Sequence, residues 1–266
     1  MTELISSAAN PLIRRVRRLA DRRYRRREGA FVVRGVQPVW QAVEARADIE
    51  ALLVAPDLLP GPAAAMVAGQ EALGVKVTRQ TGELFGRIAD RDGPSGLAAI
   101  VRMRAGVLAG LAVRPDSVFV ALHEVANPGN LGTIIRTADA AGAAGVILVG
   151  PSTDPFDPAA VKASMGAIFS VPVAAEASPH EFVSWCRAHA IAVAVTSGSG
   201  SGSLWDTVLP RPVAILLGSE GAGLPEELMA AGDLRLRIPM TGTAESLNLA
   251  VAAGILLYEA WRQMRR

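Results

Sequence analysis

Between residues 118 and 217 five short runs are almost wholly apolar: 118–122, 146–149, 171–174, 191–195 and 213–217. A strand wet on one face alternates apolar and polar residues, and these runs do not alternate. Each must therefore be covered on both faces, which is the condition of a parallel sheet with helices above and below. The intervening segments have helical length and spacing. A shorter strand is expected at 235–238, and a long terminal helix at 245–264 with Leu247, Val251, Gly254, Ile255 and Tyr258 as an apolar stripe. The predicted fold class is α/β.

The first half repeats the alternation on a smaller scale. Strands are expected at 31–33, 52–54, 75–77 and 96–101, and helices at 38–46, 62–73 and 82–89. A connector with Gly106, Gly110 and Pro115 follows. The predicted organisation is an N-terminal α/β domain over 1–105, a linker over 106–116 and a second domain over 117–266.

Ahead of the first strand, Asn10-Pro11 suits the cap and first residue of a helix, with Leu12, Ile13, Val16, Leu19 and Ala20 at helical spacing. Nine of the first thirty residues are arginine, opposed by Glu3, Asp21 and Glu28 alone, although the whole chain carries a net charge of only +2. A basic segment on a near-neutral body is the footprint of polyanion binding. Arg14, Arg15, Arg18, Arg22, Arg25 and Arg26 are the candidate phosphate contacts, and a solvated helix face is the alternative. The lone Cys186 permits no internal disulfide or cysteine metal cluster and suits a cytoplasmic location. His123, His180 and His189 are too scattered for a metal site, and no apolar run reaches membrane-spanning length. No metal and no membrane partner are expected.

Ligands of parallel sheets bind at the loops after the strands, and three such loops stand out. The first is Asn127-Pro128-Gly129-Asn130, leading into a helix that carries Arg136. Asn130 is the expected cap, and Arg136 lies about 9 Å further along the axis, where the helix dipole gives no reason for a cation. The second is Leu217-Gly218-Ser219-Glu220-Gly221, an apolar strand entering a glycine loop with one carboxylate. The third runs from Ile238-Pro239-Met240 to Ser246-Leu247-Asn248. Each loop alone is also compatible with ordinary turns and caps. Gly198, Gly200 and Gly202 hint at a dinucleotide loop, but Ser203 stands where the third glycine would be needed.

Taken together, in this order and spacing, the three loops resemble the motifs of the SpoU/TrmH family, within the SPOUT class of RNA 2′-O-ribose methyltransferases. The segment 161–167 also resembles the family, and residues 5–35 resemble its ribosomal-protein-like substrate-binding domain, with Arg34 where the family often has an acidic residue. The resemblance implies a C-terminal trefoil knot, a homodimer and S-adenosylmethionine as methyl donor. It assigns Arg136, Asn130, Glu220, Ser246 and Asn248 to catalysis. Thr196, Leu217, Gly218, Ile238, Met240 and Leu247 are assigned to the cofactor, and RNA, most of all 23S ribosomal RNA, to the substrate. A non-catalytic RNA-binding dimer of the same fold, or an enzyme acting on transfer RNA, are the alternatives.

Overall fold

The first helix begins where its residue types place it, with the Asn10 side chain accepting the Leu12 N–H at 2.9 Å. The structure, a computed structural model, describes residues 4–87, 95–104, 106–198 and 202–264. Its N-terminal elements are α1 (Pro11–Arg18), α2 (Arg22–Glu28), β1 (Ala30–Arg34), α3 (Val36–Glu44), β2 (Ile49–Val54), α4 (Gly61–Ala72), β3 (Lys76–Arg79), α5 (Gly82–Gly86) and β4 (Leu97–Arg102). Then come β5 (Val118–His123), α6 (Pro128–Ala140), β6 (Gly145–Val149), α7 (Pro158–Ser164), β7 (Val173–Ala177), α8 (Pro179–Ala188) and β8 (Ala192–Thr196). The chain ends with β9 (Gly202–Ser203), β10 (Val213–Leu217), α9 (Glu226–Ala230), β11 (Leu234–Arg237) and α10 (Leu249–Met264). Residues 88 and 89 of the expected helix 82–89, and Gly200 of the glycine run, lie outside the described residues.

Two compact units emerge: Met1–Arg104 with Phe156–Phe169, and Ala105–Pro155 with Ser170–Arg266. In the first, β4 pairs antiparallel with β1 and β2, and β2 pairs parallel with β3, in the order β1-β4-β2-β3. Period-two alternation splits its core in two. Val32, Ala98 and Ile100 face Ile13, Val16 and Phe85 on one side. Phe31, Val33, Ala99 and Val101 face Val39 and Val67 on the other.

The segment 156–169, expected in the second domain, belongs to this first unit. Phe156 and Phe169 set their rings 4.8 and 6.0 Å from that of Phe31, and Val161 joins the same core. Aromatic burial therefore outweighs proximity in sequence. Gly166 has φ +96° and lies against Gln41, where an added Cβ would approach the Gln41 Cβ to 2.6 Å.

The second unit is a seven-stranded sheet in the order β7-β6-β5-β10-β8-β11-β9, parallel throughout. Every residue of β5, β6 and β10 is buried, which is why those runs read as unbroken apolar sequence. On one face Phe119 meets Trp185 of α8 edge-on, with centroids 5.2 Å apart, an arrangement that adds about 0.5–1.5 kcal/mol beyond area burial. The expected linker is not free chain. Gly106 exchanges backbone hydrogen bonds with Val173 and Ala175 at 3.1 Å, covering the edge of β7, and Leu111 enters the core of this unit. Among the described residues no helix is long and apolar enough to cross a membrane.

Candidate active site

Chain order and spatial order part company at β10, which lies between β5 and β8. The loops after β8, β10 and β11 consequently open toward one place. They line a pocket of about 890 Å³. All six residues assigned to the cofactor, Thr196, Leu217, Gly218, Ile238, Met240 and Leu247, line it. Met240 and Leu247 are 38% and 37% exposed, so this lining leaves apolar surface open to solvent. The Thr196 hydroxyl is already donated to the Leu216 carbonyl at 3.1 Å. Thr196 therefore offers a ligand its backbone and methyl more than its hydroxyl.

The glycine loop has a specific construction. Ser219 and Gly223 exchange N–H···O bonds, both 3.1 Å, which pinches residues 220–222 into a tight tip. Gly218 sits under that pinch. A Cβ there would lie 2.2 Å from the Gly223 carbonyl carbon and 2.5 Å from the Leu224 nitrogen, both backbone atoms. Gly223 itself has φ +71°, a region that costs other residues energy.

At the tip, the Glu220 carboxylate accepts a hydrogen bond from the Asn130 amide. The Asn130 carbonyl oxygen accepts from Asn248 Nδ2 at 3.2 Å. The Asn248 Oδ1 in turn accepts the N–H groups of Ala250 and Val251 at 2.9 and 3.3 Å. One relay thus runs from the start of α10 through two asparagines to the glycine loop, joining residues 90 and 118 positions apart in sequence.

Two expectations about helix starts change. Asn127, not Asn130, caps α6: its side chain accepts the Asn130 N–H at 3.1 Å, and Pro128 occupies the first helical position. The cap at Asn127 leaves the Asn130 side chain free for the relay. Helix α10 begins at Leu249, not at residue 245, because Asn248 is its cap. Ser246 and Leu247 therefore lie in the pocket-lining segment ahead of the helix.

Arg136 is not gathered with the others. It is exposed on α6, does not line the pocket and has no hydrogen-bond or ion-pair partner among the described residues. Six residues of helix turn it about 120° away from Asn130. The basic segment divides as well. Arg14, Arg18, Arg22 and Arg26 are exposed. Arg15 is ion-paired with Glu28 and Glu50 at 3.3 and 2.7 Å.

Arg25 is the clear departure. It is 1% exposed, donates to the Leu19 and Ala20 carbonyls at 3.1 and 2.7 Å, and lies 3.7 Å from Asp157. Those carbonyls end α1 and lack helical partners, so this guanidinium is a structural cap and not a phosphate contact. Sequence reasoning also missed Asn127, Glu226, Met229 and Arg235, of which the last three line the pocket. Pro128 was the available signal for Asn127, since proline favours the position after a cap. Nothing local marks the other three.

Comparison with known proteins agrees with this geometry. The model of the SpoU rRNA Methylase family matches residues 117–258, and that of the MRM3-like substrate binding domain matches residues 10–99. A 23S rRNA (uridine(2479)-2′-O)-methyltransferase of Streptomyces viridochromogenes is 35% identical over 254 residues, covering 92% of this chain and 87% of the relative. The Bacillus subtilis 23S rRNA (guanosine(2553)-2′-O)-methyltransferase RlmP is 28% identical, with 96% and 97% covered. Among solved structures, an AdoMet-bound rRNA methyltransferase from Sinorhizobium meliloti superposes with a TM-score of 0.90 at 37% identity, covering 98% of each chain.

Proposed function

Because the chain belongs to the SpoU rRNA methylase family, we propose that it transfers a methyl group from S-adenosylmethionine to a ribose 2′-hydroxyl of 23S ribosomal RNA. The observation that carries this reading is the convergence of three loops, distant in sequence, on one pocket. Its volume lies within the range of about 300–1,000 Å³ usual for small-molecule sites. Its lining fits an adenosyl group: Leu217, Ile238, Met240 and Leu247 offer apolar contact, and Gly218 keeps the loop backbone close. The donor supplies a methyl group already activated on a sulfonium.

What remains for the chain is to hold the acceptor oxygen in line and to ease loss of its proton. Glu220, Asn130 and Asn248 are mutually fixed by the relay, and with Ser246 they position the ribose and the methionine end of the donor. A guanidinium is a poor base in a protein, so general-base chemistry is not the role of Arg136. Arg136 binds a phosphate beside the target ribose and stabilises the developing alkoxide. Since Arg136 faces away from Asn130 on its own helix, it serves the pocket of a second copy. A homodimer follows, seated on the face of α10 where Val251 and Tyr258 are 51% and 48% exposed.

The same reading includes a C-terminal trefoil knot, consistent with β10 entering between β5 and β8 before α10 returns onto α6. A crystal structure that traces an unthreaded chain ends that part. The N-terminal domain, with the exposed arginines of α1 and α2, holds the RNA, and the working compartment is the cytoplasm.

One experiment tests the enzyme and the dimer together. Arg136→Ala is expected to lower methyl transfer about 100-fold or more with donor affinity nearly unchanged by calorimetry. Mixing it with a variant whose pocket is broken should restore turnover, because one intact pocket then meets one intact arginine. Full turnover by Arg136→Ala alone removes this residue from the mechanism. No restoration in the mixture removes the exchange between subunits.

A further inference from the structure

Among the described residues, the pocket lining includes three acidic residues, Glu220, Glu226 and Glu245, and one cationic residue, Arg235. Glu220 is engaged by Asn130. Arg235 stands on β11 opposite Val195 of β8, is exposed, and forms no hydrogen bond or ion pair through its guanidinium among the described residues. An arginine that lines the same pocket as these carboxylates and pairs with none of them is available to an incoming anion.

We infer that Arg235 receives the α-carboxylate at the methionine end of the donor, an assignment that rests on the function proposed above. The donor carries three charges: a sulfonium, an ammonium and a carboxylate. An acidic wall attracts the first two and repels the third. Among the described lining residues only Arg235 reverses that sign, and a guanidinium matches a carboxylate with two parallel N–H···O bonds. Arg235 thereby fixes which end of the pocket takes the amino-acid tail, and it selects ligands that have one. The thioether product keeps its ammonium and carboxylate but loses the sulfonium charge. Arg235 consequently holds donor and product alike, and the carboxylates favour the donor.

Calorimetry on the full chain with four ligands tests this: S-adenosylmethionine, S-adenosylhomocysteine, decarboxylated S-adenosylmethionine and methylthioadenosine. Arg235→Gln should weaken the two carboxylate-bearing ligands about tenfold and leave the other two unchanged. Arg235→Lys should recover part of the loss. Unchanged methylthioadenosine binding also shows that the variant has folded with its adenosine site intact. Equal loss for all four ligands, or loss for none, overturns the assignment. If the unaltered protein binds none of the four, the donor reading itself fails, a result distinct from failure at Arg235.

Discussion

Gly218→Ala is the sharpest test of the pocket's construction. The added methyl carbon would lie 2.2 Å from the Gly223 carbonyl carbon and 2.5 Å from the Gly223 oxygen and the Leu224 nitrogen, where ordinary contact begins near 3.4 Å. The obstructing atoms are all backbone, so no side chain can swing aside. Relief requires the 219–223 tip to move by roughly 1 Å, which strains or breaks the two 3.1 Å bonds that close it. Overpacking of this kind costs about 1–3 kcal/mol. The tip lies beyond the buried end of β10, so the strain is absorbed locally and the sheet stays folded. Carried into binding, strain of that size is worth about 5- to 150-fold in donor affinity. Titration of S-adenosylmethionine should show that loss, while urea unfolding shows a midpoint lowered by no more than the strain energy. Gly221→Ala is the control: its Cβ would meet nothing within 4 Å. Wild-type donor affinity in Gly218→Ala would refute the argument that this backbone contact shapes the site.

The arginine-rich segment should separate into two classes. Arg25→Ala leaves the buried Leu19 carbonyl unmet and opens the part-buried Ala20 carbonyl to water, and should cost about 1–3 kcal/mol, mostly at Leu19, read in thermal unfolding. Arg18→Ala should leave unfolding unchanged and reduce the salt slope of RNA binding by about 0.7–0.9 for each phosphate that the side chain neutralises. Burial pushes the Cys186 thiol up to about 12, so alkylation at pH 8 should follow global unfolding and not a native reaction. Rapid labelling of the folded protein would contradict that. Burial raises the Asp233 carboxyl, but the Arg187 hydrogen bonds, the Val193 N–H and the Arg187 charge together outweigh it and hold the group below its ordinary value. A carboxyl lowered in the fold stabilises above its unfolded pKa, and that contribution is lost as pH falls through the folded one. Asp233→Asn should therefore flatten the acid limb of the stability curve below about pH 4, by an amount limited by the exposure of the pair.

The sheet of the second unit was legible because its central strands are buried on both faces. Full burial leaves one solution for composition, an unbroken apolar run, and β5, β6 and β10 show it. The segment 156–169 was illegible for the opposite reason. Its allegiance is set by Phe31, more than a hundred residues earlier, and no local pattern encodes a long-range ring contact. Arg25 belongs to the same class. Along α2 it is one arginine among several, and only the position of the end of α1 makes it a buried cap.

The site was legible at the level of residue type and illegible at the level of role. Asn127, Asn130 and Asn248 are all good caps by chemistry, and a reading of each helix alone cannot say which asparagines are used up by capping. Two of them are: Asn127 spends its oxygen on α6 and Asn248 spends its oxygen on α10. Asn130, one turn inside its helix, therefore keeps both ends of its amide for other partners. The fixed geometry of that amide carries direction from Asn248 to Glu220. Its carbonyl must accept from Asn248, so its nitrogen must donate to the carboxylate. An aspartate at 130 would put a second negative charge against Glu220 and lose the donor. The local capping arrangement thus decides which amide meets the carboxylate: α6 starts at Pro128 and not three residues later, and for that reason an asparagine that would have capped a helix instead donates to a carboxylate that lines the pocket.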